Sequence, residues 1–521
     1  MLLYYGFPLM DAISLSIFAN RIDAICGEMG VTLQKSAFSP NIRDRLDYSC
    51  AIFDAEGELC AQAAHIPVHL GSMAFAMRDV VSTFKWSAGD MMVLNDPYKG
   101  GTHLPDVTLI APLFINNDLS GFVVNRAHHA DIGSETPGSM PLSSSLLEEG
   151  LIIEPTLMVK NNQLEQAYFD DLMLHMRNPQ DSAGDFIAQI ASNRRGLTRL
   201  EALIEKIGAN KYLSSLSALN KYAAILAKKS LSDIADGEYS FADVLDNDGQ
   251  GNSEIKISTK ITFANGNITV DFTGSANQVA GNINCPLSVT AASVYYVFRC
   301  LMPPQAPACA GSFQNITILV PELSIVNASF PAAVAAGNVE TSSRIVDVVL
   351  GALAKAMPDK IPAASHGSMN NLAMGNIGDE NHPAWDYYET IGGGMGASKV
   401  SDGLDAVQTH MTNTLNTPIE SLELKYPIRI NKYLIRHDSS GKGSHKGGEG
   451  LIREYEFLGP AQITILSERR EQQPWGLFHG KNAAVGVNLL NDARLKAKQS
   501  FKVNKGDVVS IKTPGGGGYG K

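Results

Sequence analysis

The sequence contains no apolar run approaching the roughly 18 residues that a membrane-spanning helix needs, so it predicts a chain that does not cross a bilayer. Basic residues come as short pairs such as Arg194-Arg195 and Arg469-Arg470, never as a stripe. With a net charge of −11, this argues against nucleic acid as the main partner. The cysteines at positions 26, 50, 60, 285, 300 and 309 form no CxxC pair and are irregularly spaced, which predicts reduced thiols and a cytoplasmic location. The opening segment MLLYYGFPLMD has no lysine or arginine before Arg21 and is interrupted by Asp11, so it is not expected to act as a signal peptide. Also missing are a phosphate loop of the G-x-x-x-x-G-K-[ST] kind, a G-x-S-x-G nucleophile elbow and a dinucleotide fingerprint between strand and helix.

What remains is ordinary globular composition, 44% apolar and 18% charged, in a chain of 521 residues that is too long for a single core. Leu15, Phe18, Ile22, Ile25 and Met29 advance by threes and fours and predict an amphipathic helix from Asp11 to about Leu33. Short strands follow: Tyr48 to Phe53, a turn at 54–57, then Leu59 onward. Helix is expected again from about Ser182 to Ala235, after Pro286, and from Ser343 to Ala356. Residues 237–276 read as strands around an Asn-Gly turn. The expected fold is α+β and multidomain: an N-terminal α/β region carrying a metal site (1–235), a β-rich middle domain (236–365) and a glycine-rich, β-rich C-terminal domain (366–521).

Five of the 12 histidines fall between positions 65 and 129. Two His-x-x-Asp units stand out, His103 with Asp106 and His128 with Asp131. VTLIAPLF, the turn residues Asn116-Asn117-Asp118 and GFVVNRA form a hairpin that puts position 106 opposite 128 or 129. Opposed residues share a face with Cβ atoms about 4.5–5.5 Å apart, so an imidazole and a carboxylate there can reach one ion. His103 lies in the preceding loop, where Gly100-Gly101 lets the backbone turn back and Pro105 fixes the approach to Asp106. Two imidazoles and a carboxylate leave coordination positions open for water or substrate, as a catalytic divalent site requires; zinc, manganese and iron all suit the set. A one-residue slip of register exchanges His128 for His129. The ligand set is taken as His103, Asp106 and His128, with His129 and Asp131 as proton-transfer or supporting groups. The alternative use of such residues is to cap strands and bond loop backbone. His65 and His69 are spaced like a metal pair, but Pro67 between them favours a structural use. The glycine clusters 391–398, 441–450 and 513–520 are read as tight turns and close backbone contacts in preference to anion sites.

These segments carry a resemblance. NDPYKGGTHLPDVTLIAPLF (95–114), NRAHHADIGSETPGSM (125–140), GNVETSSRIVDVVLGALA (337–354), LSERREQQPWGLFHG (466–480) and TPGGGGYG (513–520) run in order along the chain. Together they resemble the hydantoinase B family, the B-type subunits of ATP-dependent hydantoinases and 5-oxoprolinases. Subunits of acetone and acetophenone carboxylases belong to it too. The resemblance implies a hetero-oligomer with a hydantoinase A-type partner of actin-like fold that handles ATP and its Mg²⁺, which accounts for the missing phosphate loop. It also implies a metal on His103, Asp106 and His128. The implied reaction is ATP-dependent opening of a cyclic amide such as 5-oxoproline, hydantoin or N-methylhydantoin: the partner phosphorylates the carbonyl oxygen and a metal-bound water attacks, with His129 or Asp131 relaying the proton. Ketone carboxylation and a non-catalytic scaffold role are the alternatives. One departure is Lys446 in GSHKGG, where the family pattern leads one to expect arginine; a point charge replaces a planar fork there.

Overall fold

The computed structural model describes residues 12–64, 66–69, 71–378 and 383–521. The opening segment and His65 lie outside the described residues. Helix α1 (Ala12–Ser36) and the single turn α2 (Pro40–Arg43) lead into β1 (Tyr48–Phe53) and β2 (Leu59–Ala64). Helix α3 (Ser72–Thr83) precedes β3 (Met91–Leu94), β4 (Asp106–Ile115), β5 (Asp118–His128), β6 (Thr156–Lys160) and β7 (Gln163–Leu164). These seven strands form one antiparallel sheet in the order β2-β1-β5-β4-β3-β6-β7. Three helices follow: α4 (Gln166–Leu174), α5 (Pro179–Ile207) and α6 (Ala209–Leu231).

Helix α1 forms because its apolar stripe has somewhere to go. Leu15, Phe18, Ile22, Ile25, Met29 and Leu33 are all buried in the core shared with α5 and the sheet, each contributing roughly 1.5–3 kcal/mol against exposure. The helical stretch expected as one piece is two helices. Gly208 between them has φ +87°, a conformation open to glycine without strain.

Side-chain alternation then sorts the sheet. On β4, Val107, Leu109, Ala111 and Leu113 point to the core with α1 and α5, whereas Ile110 joins the core under α3. On β5, Val123 and Ala127 take the first face, Phe122 and Val124 the second. Asp106 and His128 stand directly opposite each other in the ladder, on the α3 side by the same period of two. The turn joining the strands has Asn116 and Asn117 at φ +52° and +71°, the primed turn that matches strand twist.

The middle of the chain is a meander, β8 (Gly237–Asn247), β9 (Ser253–Ala264) and β10 (Asn267–Asp271), its last turn being the expected Asn265-Gly266. After α7 (Leu287–Leu301), β11 (Ile316–Leu319) adds parallel to β10. One wide helical turn, Gly337–Thr341, opens into α8 (Ser342–Ala356), which is buried on nearly every side. The last stretch comprises β12 (Asn371–Asn376), β13 (Trp385–Glu389), α9 (Ile419–Lys425), β14 (Ile428–Arg436), β15 (Gly450–Phe457) and β16 (Ala461–Leu466). It closes with β17 (Val487–Leu490), β18 (Ala493–Arg494), β19 (Lys498–Val503) and β20 (Val508–Lys512). They form two sheets, β13-β12-β16-β19 and β14-β15-β20-β17-β18. The architecture is mixed α+β. No helix among the described residues is long and apolar enough to cross a membrane.

Glu340, in the wide turn before α8, gives the fold a pH dependence. Its Oε1 accepts from Met369 N–H (2.9 Å) and Asn371 Nδ2 (2.6 Å), and its Oε2 has no hydrogen-bond partner among the described residues. Burial first, then the neighbouring Glu468, pushes this carboxyl up to about 8. A folded-state value above the unfolded one means stability is complete below the unfolded value and lost as pH rises through the folded one. Between pH 6 and 8.5 the wild type is therefore expected to lose about 2–3 kcal/mol from this group. Glu340→Gln keeps the Oε1 acceptor and should flatten that loss in denaturant titrations; parallel curves for the two proteins would contradict the assignment.

Candidate metal centre

Three parts of the chain meet at the open end of the β4–β5 hairpin. Asp106 begins β4, His128 ends β5, and His103 comes from the loop before β4. All three are buried, 0 to 2% exposed. His103 Nε2 lies 3.2 Å from His128 Nδ1, and Asp106 Oδ1 lies 3.2 Å from His128 Nδ1 and 3.3 Å from His103 Nε2. These donors form a nearly equilateral triangle. Ligand atoms bound at about 2.1 Å around one tetrahedral or octahedral ion lie about 3.0–3.4 Å apart, so the set fits a divalent ion.

Each member is held from behind. His103 Nδ1 donates to Ala335 O (3.2 Å), which leaves Nε2 with its lone pair facing the triangle. The His128 ring stacks on Tyr388, centroids 4.8 Å apart and planes 14° apart, and Arg45 lies 5.1 Å over that same tyrosine. Oδ2 of Asp106 accepts from Thr102 Oγ1, from Asn338 Nδ2 (3.3 Å) and from His69 Nε2 (3.3 Å).

The electrostatics suit a cation. Burial pushes Asp106 up, but the imidazoles of His103 and His69 outweigh it and hold the carboxylate well below its usual range. Burial pulls His103 down, and Asp106 more than reverses this, so that imidazole ends above its ordinary value. His128 is held below its ordinary value, chiefly by burial. A buried carboxylate thus stays charged beside the imidazoles, and a divalent ion can compensate that charge.

The cavity at the triangle measures about 20 Å³, room for an ion or a water but nothing larger. Ile66, Val68, Val339 and Met369 form an apolar wall, and Thr390, Thr412 and Thr414 a hydroxyl wall. His128 Nε2 and Asn338 Oδ1, on two of the lining residues, are buried without a protein partner among the described residues. A larger cleft of about 1050 Å³, lined by Glu58, Arg78, Asn220, Lys221 and Tyr295, shares no residue with this cavity.

The structure does not bring His129 and Asp131 to the triangle. His129 points to the other face of the sheet, with Nε2 2.9 Å from Gln189 Oε1 and its ring 4.5 Å from that of Phe186, both on α5. Asp131 caps loop backbone: it accepts from Gly133 N–H (3.0 Å) and from the N–H groups of Arg177 and Asn178 just ahead of α5. His69, set aside as structural from its spacing, sits at the edge of the cluster. Pro67 starts a short 3-10 turn that delivers it there. Asn338, Tyr388 and the threonines come from far along the chain; of these only Asn338 falls in a segment that carries the family resemblance, 337–354.

The family model described as Hydantoinase B/oxoprolinase matches residues 11–521. The chain belongs to this family. Within the hydantoinase B/oxoprolinase family, it is 38% identical to 5-oxoprolinase 1 of Arabidopsis thaliana over 98% of its own length, but it spans only 42% of that protein. It is 30% identical to a protein described as the B-type component of a D-/L-hydantoinase from Pseudomonas sp. strain NS671, over 98% of this chain and 90% of that one. The crystal structure of the ATP-dependent caprolactamase from Pseudomonas jessenii superposes with a TM-score of 0.91 at 26% identity, covering 98% of this chain and 92% of that chain.

Proposed function

We propose that this chain is the B-type component of a cytoplasmic, hetero-oligomeric, ATP-dependent cyclic amidase: a hydantoinase, N-methylhydantoinase or 5-oxoprolinase whose A-type partner handles ATP and Mg²⁺. The observation that carries the reading is the buried triangle of His103 Nε2, Asp106 Oδ1 and His128 Nδ1, in a chain without a phosphate loop. The names and spans of its relatives support it.

An amide carbonyl is a poor electrophile, and phosphorylation of its oxygen by the partner would turn that oxygen into a leaving group. A divalent ion on the triangle would supply a water whose pKa falls from about 15.7 to about 7, along with Lewis acidity. The chain's own residues provide the rest. Asp106, itself buried, keeps a negative charge there. Ala335 O fixes the His103 tautomer, and Tyr388 fixes the plane of His128. The apolar wall suits the methylene edge of a small ring, and the hydroxyl wall its amide edge. The cavity of about 20 Å³ does not admit the ring, so catalysis requires these walls to part or the partner's surface to complete the site. We assign His129 and Asp131 to holding the frame, because their polar contacts are Gln189 and loop backbone.

Metal removal tests the reading. The complex with its A-type partner, exhaustively chelated, is expected to lose ring opening and to regain it on adding back zinc, manganese or iron(II). Full turnover by metal-free enzyme would contradict the assignment.

A further inference from the structure

We propose that His69 is a positioning residue for Asp106, acting with Ser49 so that the carboxylate presents one oxygen, Oδ1, to the ion. The inference rests on the divalent-ion reading of the triangle.

His69 is 1% exposed. Its Nε2 lies 3.3 Å from Asp106 Oδ2, and its Nδ1 lies 3.0 Å from Ser49 Oγ on β1. The carboxylate oxygen can only accept, so Nε2–H donates to it, and Nδ1 pairs with the serine hydroxyl. The turn bearing His69 is itself latched. Ser72 Oγ donates to Val68 O (2.9 Å) and His69 O (3.3 Å), and Arg126 NH1 donates to Ser72 Oγ (2.8 Å). Arg126 lies on β5 two residues before His128, so the strand carrying a ligand imidazole also anchors the turn carrying His69.

The chemistry follows from which oxygen is occupied. Oδ2 accepts from Thr102, Asn338 and His69, while Oδ1 faces, among the described residues, the two imidazoles. A carboxylate saturated on one oxygen cannot chelate through both. His69 therefore sets Asp106 as a monodentate ligand and preserves open positions at the ion. His69 is not itself a ligand in this arrangement, because its Nε2 addresses the oxygen that faces away from the triangle.

The test is Co²⁺ binding to the metal-free full-length chain, followed by calorimetry and by the visible Co²⁺ bands. Wild type is expected to bind one Co²⁺. His69→Ala should weaken binding about 10–100-fold, the usual cost of losing such a supporting contact, and shift the bands as the carboxylate becomes free to chelate. His69→Gln returns an N–H donor close to the Nε2 position and should recover most of the affinity and the wild-type bands. Ser49→Ala should move both readouts the same way, by less. Unfolding midpoints of the metal-free proteins, compared in parallel, identify any variant that has simply failed to fold. Unchanged binding in His69→Ala overturns the proposal and leaves the ion reading standing. A His69→Gln variant as weak as His69→Ala, with bands showing one nitrogen fewer, overturns it by making His69 a ligand. No Co²⁺ binding by wild type overturns both readings.

Discussion

Asp106→Asn is expected to abolish stoichiometric binding of a divalent ion and, with it, turnover, while leaving the chain folded. Three donors converge on Oδ2, those of Thr102, Asn338 and His69. An amide at this position must turn its oxygen toward them, because its NH₂ group would face donors only. The NH₂ then points at His103 and His128, where an ion needs a lone pair. The site loses both a ligand atom and its negative charge. Structural ions bind with roughly 10–16 kcal/mol shared over about four ligands, so one ligand is worth about 3–4 kcal/mol, a factor of about 10²–10³ in affinity. Metal analysis of dialysed protein and turnover with the partner read the two effects. His129→Ala is the control: its ring meets Gln189 and Phe186 on the other face of the sheet, so ion binding should hold even if stability drops. Loss of the ion in His129→Ala with retention in Asp106→Asn would reverse the assignment.

Gly447→Ala is expected to yield little or no soluble protein, a loss of more than about 4 kcal/mol, which single substitutions reach only by a severe mechanism. A Cβ at Gly447 would lie 1.8 Å from Gly516 O and 2.4 Å from its carbonyl carbon; one at Gly394 would lie 1.9 Å from Gly448 O. The obstructing atoms are backbone, so no side chain can swing aside. The glycine clusters are backbone-to-backbone packing between the 391–398, 441–450 and 513–520 segments. The same alanine at Gly27 on α1 meets nothing within 4 Å and should be neutral or stabilising by up to about 1 kcal/mol through helix propensity. Soluble yield and denaturant midpoints for the two variants check the contrast. A well-folded Gly447→Ala protein would show that these segments are looser than the packing requires.

The parts of the site that were legible in the sequence are those governed by local rules. The turn residues Asn116-Asn117 make the hairpin legible, but the register they set would put Asp106 opposite Ala127; a bulge at Ser120 shifts the pairing by one residue to His128, and the glycine and proline around His103 bring its loop back. Strand alternation also decides between the adjacent histidines, but only once the end of β5 is known, and that boundary is not written in the local pattern. His129 faces away because it lies one residue past His128, and Asp131 is drawn to backbone N–H groups just ahead of α5, more than 40 residues away. His69 was obscured by Pro67, which excludes an α-helix yet starts the 3-10 turn that delivers the imidazole. Tyr388, Thr390, Thr412 and Thr414 left no signal, because nothing within their own segments says that they face a carboxylate at position 106. Among the elements, the apolar period gives α1 to within about three residues, and the helices expected after Pro286 and from Ser343 begin at Leu287 and Ser342, whereas the seven-residue α9 is too short to show a period.

The most direct test of the whole account is ring opening itself. This chain would be purified with its A-type partner and supplied with ATP, a divalent ion, and in turn 5-oxoproline, hydantoin, N-methylhydantoin and an unsubstituted lactam, with products followed by mass spectrometry. A ring-opened acid is expected from at least one cyclic amide, formed with ATP hydrolysis and lost when Asp106 becomes Asn. Consumption of ATP only with a small ketone and bicarbonate, with every ring left intact, would contradict it and make the chain part of a carboxylase.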